Sequence, residues 1–146
     1  MIRTTARALL VQDGQVLAIK YREDCKVYYA LPGGGQNPGE PLHRSLQREC
    51  REELGIGVHV GALRFVREWL DPERSIHQIE LIFQCSTDGK IGAVESNVPD
   101  GGQIGIEWLP IADLMRFHIY PLEMRQHLPK LGDADEKVPV YLGHGR

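Results

Sequence analysis

The feature that most constrains this chain is a run of fixed spacing from Gly34 to Ile56, where a glycine-rich loop leads into a segment crowded with carboxylates. Gly34 is followed after five residues by Glu40, and after seven more by Arg48-Glu49-Cys50-Arg51-Glu52-Glu53-Leu54-Gly55-Ile56. A helix turns by about 100° per residue, so Glu49, Glu52 and Glu53 fall within an arc of roughly 100° on one face. Leu46, Cys50 and Leu54 form the adjoining apolar stripe that seats such a helix on a sheet, with Cys50 serving as a small hydrophobe. Three carboxylates held so close raise each other's pKa unless something positive lies between them. A hard divalent cation answers that need, and oxygen donors with room for water and phosphate oxygens suit magnesium, with manganese the alternative. Arg48 stands four residues before Glu52 and can pair with it; it can also hold Glu40 at the helix start. The loop Leu31-Pro32-Gly33-Gly34-Gly35 lets the main chain approach a ligand or metal closely. Pro38-Gly39 marks a turn, Pro41 suits the first helical position and Gly55 a helix C-cap. The competing reading, a solvated charged helix behind a flexible loop, does not account for the loop, Glu40 and Arg48 falling in register together.

This stretch resembles the Nudix box, G-x5-E-x7-R-E-U-x-E-E-x-G-U with U a bulky apolar residue: Gly34, Glu40, Arg48, Glu49, Glu52, Glu53 and Gly55 all match. Cys50 is the one departure, standing where that family usually has an aliphatic or aromatic residue. The resemblance implies an α/β/α sandwich and a reaction, hydrolysis of a nucleoside diphosphate linked to another group by water attacking phosphorus with divalent metal. By motif position it makes Glu52 and Glu53 the central metal ligands with Glu49 completing the set, while Arg48 and Glu40 orient that cluster; Glu52 is the residue whose loss should do most damage. It also implies a general base outside the box, for which Glu95 and Asp100 in the loop before the late strand are candidates, with Glu80 on the preceding strand a third.

The rest of the chain reads as α+β. Ala6 to Val11 and Gln15 to Tyr21 are expected strands joined at the hairpin signal Asp13-Gly14. Val27 to Leu31 is a short strand entering the glycine loop, and Val58 to Leu70 and Ile76 to Cys85 are long strands around Asp71-Pro72-Glu73-Arg74-Ser75. Ile104 to Leu109 is a further strand, Ile111 to Phe117 and Leu122 to Leu128 look helical, and Val138 to Leu142 suggests a last edge strand. This order predicts a mixed sheet flanked by helices, in one domain spanning residues 1–146 with a polar tail from about Gly132. Apolar residues at 42% and charged residues at 25% are ordinary for a soluble globule. A net charge of −3 gives no basic field for nucleic acid, so phosphates would be met by metal and local arginines. With no apolar run of about 18 residues and no signal-peptide core, a membrane role is not expected. Cys25, Cys50 and Cys85 read as reduced thiols of a cytoplasmic protein.

Substrate signals are sparser. Pro72 falls sixteen residues after Ile56, a placement resembling that in ADP-ribose pyrophosphatases, although Asp-Pro-Glu is also simply a turn. Arg67, Arg74 and His77, with Arg22, are candidates to meet phosphates, and Trp69, Tyr28 and Tyr29 to stack on a base. His43 reads as surface. The expected activity is a pyrophosphohydrolase on a small-molecule nucleotide, of ADP-ribose or nucleotide-sugar type. The alternatives are a nucleoside-triphosphate pyrophosphohydrolase and a non-catalytic nucleotide sensor. Intact box carboxylates argue against the sensor, and long strands with Trp69 leave room for a homodimer.

Overall fold

The computed structural model describes residues 1–89, 91, 103–132 and 138–145. Among the described residues, nine strands and one α-helix follow in the order β1 (Arg3–Gln12), β2 (Gln15–Glu23), β3 (Lys26–Ala30), β4 (Gly33–Gly35), α1 (Leu42–Leu54), β5 (His59–Asp71), β6 (Ile76–Ser86), β7 (Gln103–Pro110), β8 (Ile119–Tyr120) and β9 (Val140–Gly145). The expected hairpin forms because Asp13 and Gly14 both take positive φ, 50° and 73°, the backbone a two-residue turn requires.

β1 and β2 pair only at the turn end, Val11 with Val16 and Gln12 with Gln15. Beyond it they diverge. β1 runs parallel to β6 and takes β4 antiparallel on its other side, whereas β2 pairs antiparallel with β3 and β7. The main path is β8-β3-β2-β1-β6-β5-β9. This divergence opens the space between β3 and β1 in which the cavity described below lies.

Side chains on β1 alternate between two cores. Ala6, Ala8 and Leu10 meet Leu46, Cys50 and Leu54 of α1; Leu9, with Phe65 and Ile82, meets Leu114, Met124 and Leu128 on the other face. The latter three come from 3-10 turns at Ile111–Arg116, Leu122–Gln126 and Leu128–Lys130. The sequence predicted helices there; proline at 110, 121 and 129 cuts the segment into pieces too short for α-helix. β4 and β8 were not legible in the sequence, being only three and two residues long. Among the described residues no helix is long and apolar enough to cross a membrane.

Candidate active site

Helix α1 begins at Leu42, one residue later than expected. Pro41 has ψ of 152° and stands just outside, where its carbonyl still accepts the first helical bond, from the Ser45 N–H at 2.9 Å. Gly55 closes the helix in the left-handed conformation (φ 68°). The stripe Leu46, Cys50 and Leu54 is buried as expected, which turns the carboxylates towards the glycine loop.

Arg48 is the hub of that carboxylate face. It grips Glu40 with two nitrogens, Nε to Oε2 at 2.8 Å and Nη2 to Oε1 at 3.0 Å. Nη1 donates to Glu49 at 3.0 Å and to Glu52 at 3.4 Å, and Nη2 reaches the Gly35 carbonyl at 3.2 Å. The bond from Arg48 pulls the Glu40 carboxyl down to about 2, so Glu40 is a fixed anion. Glu53 faces the loop and accepts from the Gly33 N–H at 2.8 Å. Gly34 closes the gap, since a Cβ there would lie 2.6 Å from the Glu49 carboxyl carbon.

Three carboxylates thus surround one guanidinium, with Glu53 beside them on the loop side, an oxygen-rich and anionic donor set that suits a hard divalent cation. Among the described residues no three ligand-type side chains converge tightly. Glu49 and Glu52 are turned to Arg48 and Glu53 to Gly33.

A cavity of about 910 Å³ opens where β1 and β2 diverge. One wall is aromatic: Tyr21 and Tyr28, register partners on β2 and β3, stack with centroids 5.1 Å apart and planes at 8°. Tyr120 meets Tyr28 edge-on at 5.9 Å. Beside it the lining is charged. Arg67 and Glu80 are only 5% and 6% exposed and join at 3.2 Å, with the Arg67 guanidinium 5.8 Å from the Tyr120 ring centroid. Arg7 faces Glu80 at 3.7 Å. A smaller pocket of about 20 Å³ shares these three residues and reaches Leu31, at the entry to the glycine loop.

The structure brings Arg67, Arg74, Trp69 and Tyr28 to this cavity as the sequence suggested. Tyr29 is instead core. His77 aligns with Leu70, one residue from the Trp69–Gln78 pair and three from Arg67–Glu80, and so faces the other side of the sheet, bound to Glu68 at 2.8 Å. Glu80 is engaged by two arginines. Pro72 begins a one-turn 3-10 helix capped by Asp71, which is the turn reading, although Asp71 and Arg74 also line the cavity. Glu95 and Asp100 lie outside the described residues. His43 is exposed.

Sequence reasoning missed Arg7, Tyr21 and Tyr120. For Arg7 a signal existed, a lone charge inside the apolar run Ala6-Arg7-Ala8-Leu9-Leu10.

A NUDIX domain model matches residues 1–131. A nucleoside triphosphatase NudI of Salmonella agona (strain SL483) is 30% identical over 77% of this chain and 88% of its own length. The NudI of Enterobacter sp. (strain 638) is 34% identical over 57% of this chain and 67% of its own. Among solved structures, a MutT NUDIX hydrolase from Burkholderia pseudomallei has a TM-score of 0.66 at 29% identity, covering 78% of this chain and 87% of that one.

Proposed function

The chain belongs to the NUDIX family and is a Nudix pyrophosphohydrolase of nucleotides, and from that premise we propose a divalent-metal-dependent enzyme that cleaves a phosphoanhydride bond of a nucleoside triphosphate. The observation that carries this is the proximity of the cavity to the carboxylate helix: the small pocket that shares Arg7, Arg67 and Glu80 with the cavity reaches Leu31, where the glycine loop that bonds Glu53 begins. A nucleoside held against the Tyr21–Tyr28 wall would extend its phosphates along that loop to α1. The triphosphate preference is supported by relatives at 30% identity and above that are nucleoside triphosphatases.

In this reading Glu49, Glu52 and Glu53 would hold magnesium or manganese, which when bound neutralises phosphate charge and acidifies the attacking water. Arg48 orients Glu49 and Glu52 and is itself fixed by Glu40, while the Gly33 N–H orients Glu53. The aromatic wall orients the nucleoside by stacking, and Arg67, buried beside it, offers donors to a polar group of the substrate. Glu95 and Asp100 are retained as candidates to take the proton from water.

A second reading, a nucleoside diphosphate linked to a sugar such as ADP-ribose, is favoured by the cavity itself. At about 910 Å³ it is near the upper end for small-molecule sites and roomy for one nucleoside, with the Asp71–Arg74 turn in its wall. Magnesium-dependent hydrolysis of nucleoside triphosphates, ADP-ribose, nucleotide sugars and dinucleoside polyphosphates separates the two. Nucleoside monophosphate and pyrophosphate from a triphosphate are expected; exclusive cleavage of a sugar-linked diphosphate would replace the first reading with the second. Silence across the panel from folded, metal-binding protein would point to the sensor.

A further inference from the structure

We propose that Arg7 is a positioning residue of the hydrolytic reaction, tying the charged floor of the cavity to Gly33 and through it to the Glu53 carboxylate. Gly33 is gripped from two directions. Its N–H donates to Glu53 on α1 at 2.8 Å, while its carbonyl accepts from Arg7 Nη1 at 3.1 Å. The same Arg7 nitrogen reaches the Leu31 carbonyl at 3.3 Å, so one guanidinium spans both ends of the Leu31-Pro32-Gly33 bend. Arg7 Nε faces Glu80, which is held in turn by Arg67. Arg7, Glu80 and Arg67 all line the cavity, and a group bound among them bears on the loop through a chain of direct contacts.

Gly33 lies close against the backbone of β1. It sits at φ +143°, and a Cβ there would lie 2.1 Å from the Ala6 carbonyl oxygen. Backbone pairing of β1 with β4 and the Ala8 N–H to Pro32 bond at 2.8 Å persist without the Arg7 side chain. The fold is therefore held by the main chain, and the guanidinium sets the fine alignment of the loop. Its removal leaves Glu80 with Arg67 as counter-charge, so no buried anion is stranded.

The test is Arg7→Met, which keeps the length of the side chain and deletes its donors. The kinetic readout rests on the pyrophosphohydrolase reading, and amide hydrogen exchange at Gly33 does not. We expect kcat to fall about 10- to 100-fold with KM within about threefold of wild type, as for a misplaced reacting group. Exchange at Gly33 should quicken by about tenfold or more while the amides of central α1 keep their rates. A kcat within about twofold of wild type, a loss confined to KM, or an unchanged Gly33 exchange rate would each overturn the proposal. If wild type cleaves no nucleotide, the functional reading falls and Gly33 exchange alone decides the role of Arg7. If Arg7→Met fails to fold, Arg7→Lys, which keeps the charge beside Glu80 but cannot span both carbonyls, is judged by the same readouts.

Discussion

At the scale of single residues, Cys50 is the departure from the box pattern, and its surroundings account for it. The side chain is fully buried between α1 and the sheet, and burial drives its thiol far above the usual range; Cys85, buried beside the same core, is pushed up to about 12. Cys25 alone of the three is exposed. Ellman's reagent should therefore titrate one thiol in the native protein and three after denaturation, and two reactive native thiols would contradict this packing. Cys50→Ala should keep turnover and cost about 1–2 kcal/mol of stability for the lost buried sulfur. What could be read from sequence at this scale follows chain distance. The pair of Arg48 with Glu52 was legible because helix geometry puts residues four apart within reach, and that with Glu40 because both lie in the same short run at the helix start. The Arg67–Glu80 pair was not, since it exists only once β5 and β6 adopt their register.

At the scale of elements, the glycine loop separates two kinds of constraint. At Gly34 an added Cβ would meet the movable Glu49 carboxylate at 2.6 Å, whereas at Gly33 it would meet backbone at 2.1 Å in a left-handed conformation. Gly34→Ala should therefore leave the thermal midpoint nearly unchanged but lower kcat by about 10-fold or more, by displacing Glu49. Gly33→Ala should cost roughly 2–4 kcal/mol, because the β1–β4 pairing must shift. Equal stability of the two variants in denaturant melts would contradict this reading of the loop. Long strands and α1 were visible in the sequence through strong alternation and a full apolar stripe. Ile111 to Phe117 and Leu122 to Leu128 read as helical from their apolar spacing, but the prolines around them limit these stretches to 3-10 turns.

At the scale of the molecule, β9 lies beyond the residues matched by the family model, 1–131. It adds to the edge of the sheet against β5. Val140 and Leu142 pack on the core, and the Tyr141 hydroxyl donates to Glu68 at 3.0 Å. Removing the chain after Gly132 should lower stability by about 2–4 kcal/mol for that apolar burial, and an unchanged thermal midpoint would show that β9 is not packed in solution. The cavity could not be foreseen in sequence, because it exists only where β1 leaves β2 for β6, a choice made by long-range pairing. The carboxylate helix was legible because all of its parts lie within one short run. Whether those carboxylates hold the metal that drives phosphoanhydride cleavage is decided by comparing wild type with Glu52→Gln for product release under magnesium, before and after chelation. Wild-type turnover should stop with chelator and return with magnesium, and a folded Glu52→Gln variant should be slower by about 10²-fold or more. A chelator-insensitive rate, or near-normal turnover in Glu52→Gln, would contradict that role of the carboxylates.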